Sequence, residues 1–212
     1  RTLAAIAHAT PLYFPDEYIY GTLARSLASS GRLAIRGTPA HFPALLEPLL
    51  AAPFWLTGNP EVAYRLTQCL NALAMSLAAV PVYLLARRLG LGKWLGLGCA
   101  ALAVSFPDLL YASFVMADPI AYPLVLGAVY AGVCALETRS RRAQLAFVAL
   151  AGLASFARLQ YVVVPAAFVV AAAGLERRRF LRAHALPLGL LAAPVAAAGV
   201  LGPSRVLGYY SG

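Results

Sequence analysis

Asp16 and Glu17 stand side by side in Tyr13-Phe14-Pro15-Asp16-Glu17-Tyr18, just ahead of a long series of apolar segments. Neighbours on a helix project about 100° apart, so the two carboxylates cannot both face one reacting atom. One can serve as a base toward a hydroxyl within hydrogen-bond reach while the other holds a backbone group or an arginine. Asp16 is assigned the base and Glu17 the support; an interfacial helix whose N-terminus favours acids against its dipole is the other reading. Asp118, in Met116-Ala117-Asp118-Pro119, is either a helix start or a second acid of the same site. Arg158 lies between Ala154-Ser155-Phe156-Ala157 and Tyr161-Val162-Val163-Val164. A cation there is costly in hydrocarbon unless it snorkels, pairs or meets an anion, so turn anchoring and a phosphate or acid partner both stay open. Asp108, His41, Arg65 and Arg205 are secondary candidates, the last two for a phosphate or diphosphate. His8 and His41 have no metal-ligand spacing with Asp16.

The elements that must position these groups follow from composition. The 212 residues are 61% hydrophobic and 12% charged, against roughly 25% charged in soluble domains. An all-α, polytopic transmembrane bundle is expected. The net charge of +9 sits in short clusters between apolar segments, which argues for topology control rather than nucleic-acid binding. Cys69, Cys99 and Cys134 fall inside apolar segments and are expected to be buried small hydrophobes. Gly92, Gly96 and Gly98 suit close helix packing.

Residues 1–59 are punctuated by Pro11, Pro15, Pro39, Pro43, Pro48 and Pro53, so they are expected to form an external loop. Two interfacial juxtamembrane helices are expected in it, at 17–29 and 43–56, the first burying Tyr20, Leu23, Ala24 and Leu27. Residues 60–212 are expected to form about six spans, at 62–86, 94–116, 119–136, 143–157, 159–175 and 183–202. Asn59-Pro60-Glu61 caps the first of these. A single helix over 143–175 would run about 50 Å against a core of about 30 Å, so a turn near Arg158 is preferred. With that parity Arg87 to Lys93, Arg139 to Arg142 and Arg177 to Arg182 share one side. Positive-inside bias puts Asp16, Glu17, Asp118 and Arg158 on the other, non-cytosolic face. The chain opens at Arg1 without a methionine, as expected of a portion of a longer membrane protein.

The order of these elements resembles the GT-C superfamily of integral membrane glycosyltransferases, whose donors are polyprenyl-phosphate-linked sugars. Asp16-Glu17 is similar to the acidic motif of their first external loop, and Gly21-Thr22-Leu23-Ala24-Arg25-Ser26-Leu27 with Gly31 to the amphipathic stretch after it. Residues 42–53, Phe-Pro-Ala-Leu-Leu-Glu-Pro-Leu-Leu-Ala-Ala-Pro, look like the Pro-punctuated second helix, and Asp118-Pro119 falls where many members carry another acid. The resemblance implies sugar transfer to a hydroxyl of a glycan, lipid or protein by inverting single displacement. Asp16 is then the general base, Glu17 supports it, Asp118 organises the reacting centre, and Arg158 binds the donor phosphate. Some members use a divalent cation, for which Asp16, Asp118 and Asp108 offer oxygen ligands. The expected setting is the plasma (inner) membrane of a bacterium, with the site facing the periplasm or exterior. A secondary transporter of an anionic or lipid-linked solute, and a non-catalytic subunit of a cell-envelope complex, are the competing classes.

Overall fold

The computed structural model describes residues 15–40, 44–105, 114–176 and most of 184–192. The chain is mostly helical there. Helix α1 (Pro15–Ser30) leads to a two-stranded hairpin, β1 (Ala34–Ile35) and β2 (Thr38–Pro39), then α2 (Leu46–Trp55). Six further helices follow: α3 (Pro60–Leu77), α4 (Ala79–Arg88), α5 (Lys93–Ser105), α6 (Asp118–Thr138), α7 (Arg141–Ala157) and α8 (Val163–Glu176). A short 3-10 turn, Leu159–Val162, joins the last two.

The hairpin is a small addition to the expected all-α architecture. Its antiparallel register pairs Ala34 with Pro39 and Ile35 with Thr38. Arg36 and Gly37 between them have φ of 51° and 82°, the two positive values of a type I′ turn. Arg36 is held in that unfavourable region from outside the turn, since its Nε donates to the Tyr18 hydroxyl of α1 at 2.9 Å.

Asn59 caps α3 as its sequence suggests, its side chain accepting from the amides of Glu61 and Val62, with Pro60 in the first turn. Residues Pro60–Arg88 run as one apolar rod of 29 residues, interrupted only at Ala78. The cause is Pro81: it has no amide to donate to the Leu77 carbonyl, and its ring crowds that carbonyl. Gly90, at φ 85°, then stops the rod, with the Leu91 amide reaching back to the Ala86 carbonyl at 3.1 Å. This rod and the 21-residue α6 are long and apolar enough to cross a hydrocarbon core; α5 and the segment Leu159–Leu175 are shorter apolar helices. The expected last span, 183–202, lies largely outside the described residues.

α6 and α7 pack closely as an antiparallel pair. Ala128, Ala131, Ala135 and Ala151 let the backbones approach, and Phe147 stacks on Phe168 of α8 with ring centroids 4.2 Å apart. Gly132 makes room for that stack. The expected glycine contacts hold only in part: a Cβ on Gly96 would meet Tyr83 at 3.2 Å, but Gly92 and Gly98 face open space. Cys69 is exposed and Cys99 and Cys134 are half-buried, so the expectation of buried thiols fails, most clearly at Cys69. On an apolar face turned toward lipid, exposure does not demand polarity.

Partner contacts fix the two ends of the helices. Arg88, closing α4, pairs with Glu137 near the end of α6 at 2.6 Å, while Asp118, opening α6, pairs with Arg158 just after α7. Arginine-rich turns thus lie at one end and the Asp118–Arg158 pair at the other. A Cβ at position 132 would lie 3.2 Å from the buried Phe147 ring, which cannot retreat from Phe168. Gly132→Val is therefore expected to destabilise the fold by about 1–3 kcal/mol. Gly98→Ala should be neutral or slightly stabilising, and thermal unfolding in detergent compares the two.

Candidate active site

α1 enters beneath the end of the helices where α6 begins and α7 finishes. Its buried face is Glu17, Tyr20, Leu23 and Ala24. The expected set included Leu27, which is half-buried. Asp16 and Glu17 occupy the first turn and separate as their 100° offset requires: Glu17 turns inward, 5% exposed, while Asp16 remains half-exposed.

Glu17 works as a clamp. Its Oε1 accepts the hydroxyl of Tyr64 on α3 and, at 3.0 Å, the backbone amide of Val115. Asn71 on α3 holds the same segment from the other side, its Nδ2 donating to the Phe114 carbonyl at 2.9 Å. Val115, Met116 and Ala117 are packed with Tyr20 and Ala44. The backbone leading into Asp118 is thus fixed from α1 and α3 together. Burial pushes the Glu17 carboxyl above its ordinary range, opposed by the Tyr64 and Val115 hydrogen bonds.

Asp118 is not the helix cap. The capping position is Ala117, in helical geometry and with no side-chain cap bond, and the Asp118 carboxylate accepts instead from Nη1 of Arg158. Arg158 sits where the chain leaves helical geometry, at φ −149° and ψ 124°. Desolvation weighs against its charge, but the Asp118 hydrogen bond and the negative charges nearby, including Asp16, hold its pKa above the ordinary value. Arg158, Asp16 and Asp118, together with Glu47 of α2, lie around the buried Tyr20 hydroxyl, whose pKa is driven up mainly by burial. Two carboxylates, one buried carboxylic acid and one guanidinium therefore lie around Tyr20.

Of the sequence-derived candidates, Asp16, Glu17, Asp118 and Arg158 are brought together. Arg65 belongs to the same end of α3 but lies on its surface in an exposed pair with Glu61 at 3.1 Å. His41, Asp108 and Arg205 lie outside the described residues. No three His, Cys, Asp or Glu side chains gather as a cation site among the described residues, and the Asp118 carboxylate is engaged by Arg158.

Three participants were missed. Tyr64 opens a buried polar stripe with Thr67, Gln68 and Asn71 at helical spacing, a signal visible on an otherwise apolar span. Tyr20 was assigned to the buried face but given no role. Glu47 is fully buried, and neither of its oxygens has a hydrogen-bond partner. It shares the buried face of α2 with Pro48, Ala51 and Ala52, while Leu49 and Leu50 are exposed. An acid inside an apolar run was the available clue.

Residues 43–201 match the dolichyl-phosphate-mannose-protein mannosyltransferase family. The chain belongs to that family. It is a membrane-embedded glycosyltransferase family of the GT-C superfamily, and with the two long apolar helices it makes this a membrane protein. Comparison with curated proteins and with solved structures gave no significant match. Asp16 and Glu17 precede the matched region, yet Glu17 fastens them to Tyr64 and Val115 inside it.

Two outcomes are expected. Glu17→Leu leaves a buried hydroxyl and a buried amide without an acceptor and should cost about 1–3 kcal/mol for each, whereas Glu17→Gln keeps an acceptor oxygen and should cost less. Burial alone pushes Glu47 up to about 8. The folded chain then keeps a proton that the unfolded chain, ionising near about 4.3, has lost. Its contribution is thus fully present below the unfolded value and is lost as pH rises toward about 8. Glu47→Gln should flatten the fall in Tm between pH 5 and pH 8; an unchanged slope would mean Glu47 does not titrate in this window.

Proposed function

We propose that the chain transfers a sugar from a polyprenyl-phosphate-linked donor to a hydroxyl acceptor on the non-cytosolic face of the membrane. The observation that carries this reading is the convergence of Asp16, Asp118 and Arg158 at the end of the helices opposite the arginine-rich turns. Positive-inside bias makes that end non-cytosolic. Membership of a mannosyltransferase family supports lipid-linked mannose as the first donor to offer.

Asp16 is the half-exposed acid, free of the clamp that occupies Glu17, and acts as general base. As the acceptor oxygen bonds to the anomeric carbon, its proton passes to the Asp16 carboxylate and the bond from that carbon to the lipid phosphate oxygen breaks. One displacement inverts the anomeric centre. An aspartate is a modest base, so its help comes late, as bond formation acidifies the hydroxyl. Arg158 receives the departing phosphate: Asp118 occupies one of its nitrogens, and a guanidinium carries five N–H donors in a planar fork. Asp118 thereby orients Arg158 and tempers its charge, while Glu17 sets the distance between α1 and the Asp118 segment.

The experiment offers purified protein polyprenyl-phosphate mannose and candidate hydroxyl acceptors, comparing wild type with Asp16→Asn. Donor-dependent product is expected from wild type, falling about 10²–10⁴-fold in the variant with Tm preserved. Equal product from both proteins would remove Asp16 as the base. Ion-driven uptake in proteoliposomes without any sugar donor would replace transfer by transport.

A further inference from the structure

An apolar groove of about 370 Å³ opens between α4, α6 and α7, away from the acidic end. Its size is that of an ordinary small-molecule site. Small residues shape it: Gly127 and Ala131 from α6, Ala143 and Ala146 from α7, facing Leu84 of α4. All three helices carry long apolar stretches, so an occupant has to be hydrocarbon or another apolar helix face.

Helical spacing decides between these. On α4, Pro81 and Leu84 line the groove and Arg88 lies one turn further along the same face. Cys134 lines it from α6, with Glu137 almost a turn beyond, and Ala146 lines it from α7, with Arg142 one turn before. Each wall therefore ends in a charge at the same, arginine-rich end. Arg88 marks the mouth directly, its Nη1 reaching the Cys134 thiol at 3.0 Å while its Nε pairs with Glu137 at 2.6 Å. Glu137 is the one described acid at this mouth and is paired with Arg88, while Arg141 and Arg142 at the start of α7 are exposed. A dry slot ending in surplus positive charge matches one amphiphile, an acyl chain carrying an anionic head.

We infer that this groove is a binding site for an anionic phospholipid of the arginine-side leaflet. One acyl chain lies along Leu84, Ala131 and Ala146, and the phosphodiester meets Arg142 and the outer nitrogens of Arg88. A zwitterionic lipid fills the slot equally but brings its own cation to the mouth, so the site prefers a net negative head. The inference is independent of which sugar the opposite end moves.

Native mass spectrometry of the full chain in detergent, titrated with phosphatidylglycerol or phosphatidylcholine of identical acyl chains, tests it. Wild type is expected to retain phosphatidylglycerol preferentially. Arg142→Gln should cut that preference about fivefold, one arginine's share of the attraction to an anionic head. Ala146→Phe should abolish retention of both lipids, and Leu145→Phe, on an exposed face of the same helix, should not. Equal retention of the two lipids by wild type would overturn the inference. So would a preference untouched by Arg142→Gln, whose exposed position makes it safe for folding should Ala146→Phe misfold. A wild-type dimer dissolved by Ala146→Phe, with lipid retention unaffected, would assign the groove to a second copy instead.

Discussion

A guanidinium set between two apolar helices has to be compensated, and the whole acidic end of this chain is organised around how Arg158 achieves it. Its partner, Asp118, is 40 residues away, at the far end of a helical hairpin. For the two to meet, α6 and α7 must run antiparallel and in register, which the alanine contacts and the Phe147–Phe168 stack allow. Removing either charge would leave the other half-buried and without its partner. The pair therefore specifies the hairpin as well as a site.

Around it the polar groups divide their tasks. Glu17 is engaged by structure through Oε1, which accepts from Tyr64 and the Val115 amide, while its buried Oε2 has no hydrogen-bond partner. That leaves Asp16, on the same turn, half-exposed and within electrostatic range of Arg158. Adjacent carboxylates take opposite roles here for a geometric reason, the 100° step of the helix.

Much of this was legible in the sequence wherever a covalent or periodic cause acted. The Asn59-Pro60-Glu61 cap, the break at Arg158 and the inward turn of Tyr20, Leu23 and Ala24 follow from capping chemistry, the length of one span against the hydrocarbon core and the helical period. Asp118 does open α6, but the capping position is Ala117, and the pairing of Asp118 with Arg158 is set by tertiary packing that local sequence does not show. Glu47 and Tyr64 were overlooked for a related reason. Each is a polar group on a largely apolar helix, and only the packing of α2 and α3 against their neighbours shows that these side chains turn inward. The hairpin escaped notice since Arg36 is an unusual occupant of a left-handed turn, tolerated through a bond to Tyr18 that no local pattern announces.

That bond has a mechanical consequence. Strands of two residues are too short to hold their own shape, so the hairpin borrows its rigidity from α1 through Tyr18, by the hydroxyl bond to Arg36 and the stacking of the guanidinium over the ring. Tyr18 is two residues beyond Asp16, about 200° around the same cylinder. The turn is thereby moored to the helix that carries Asp16 at its head.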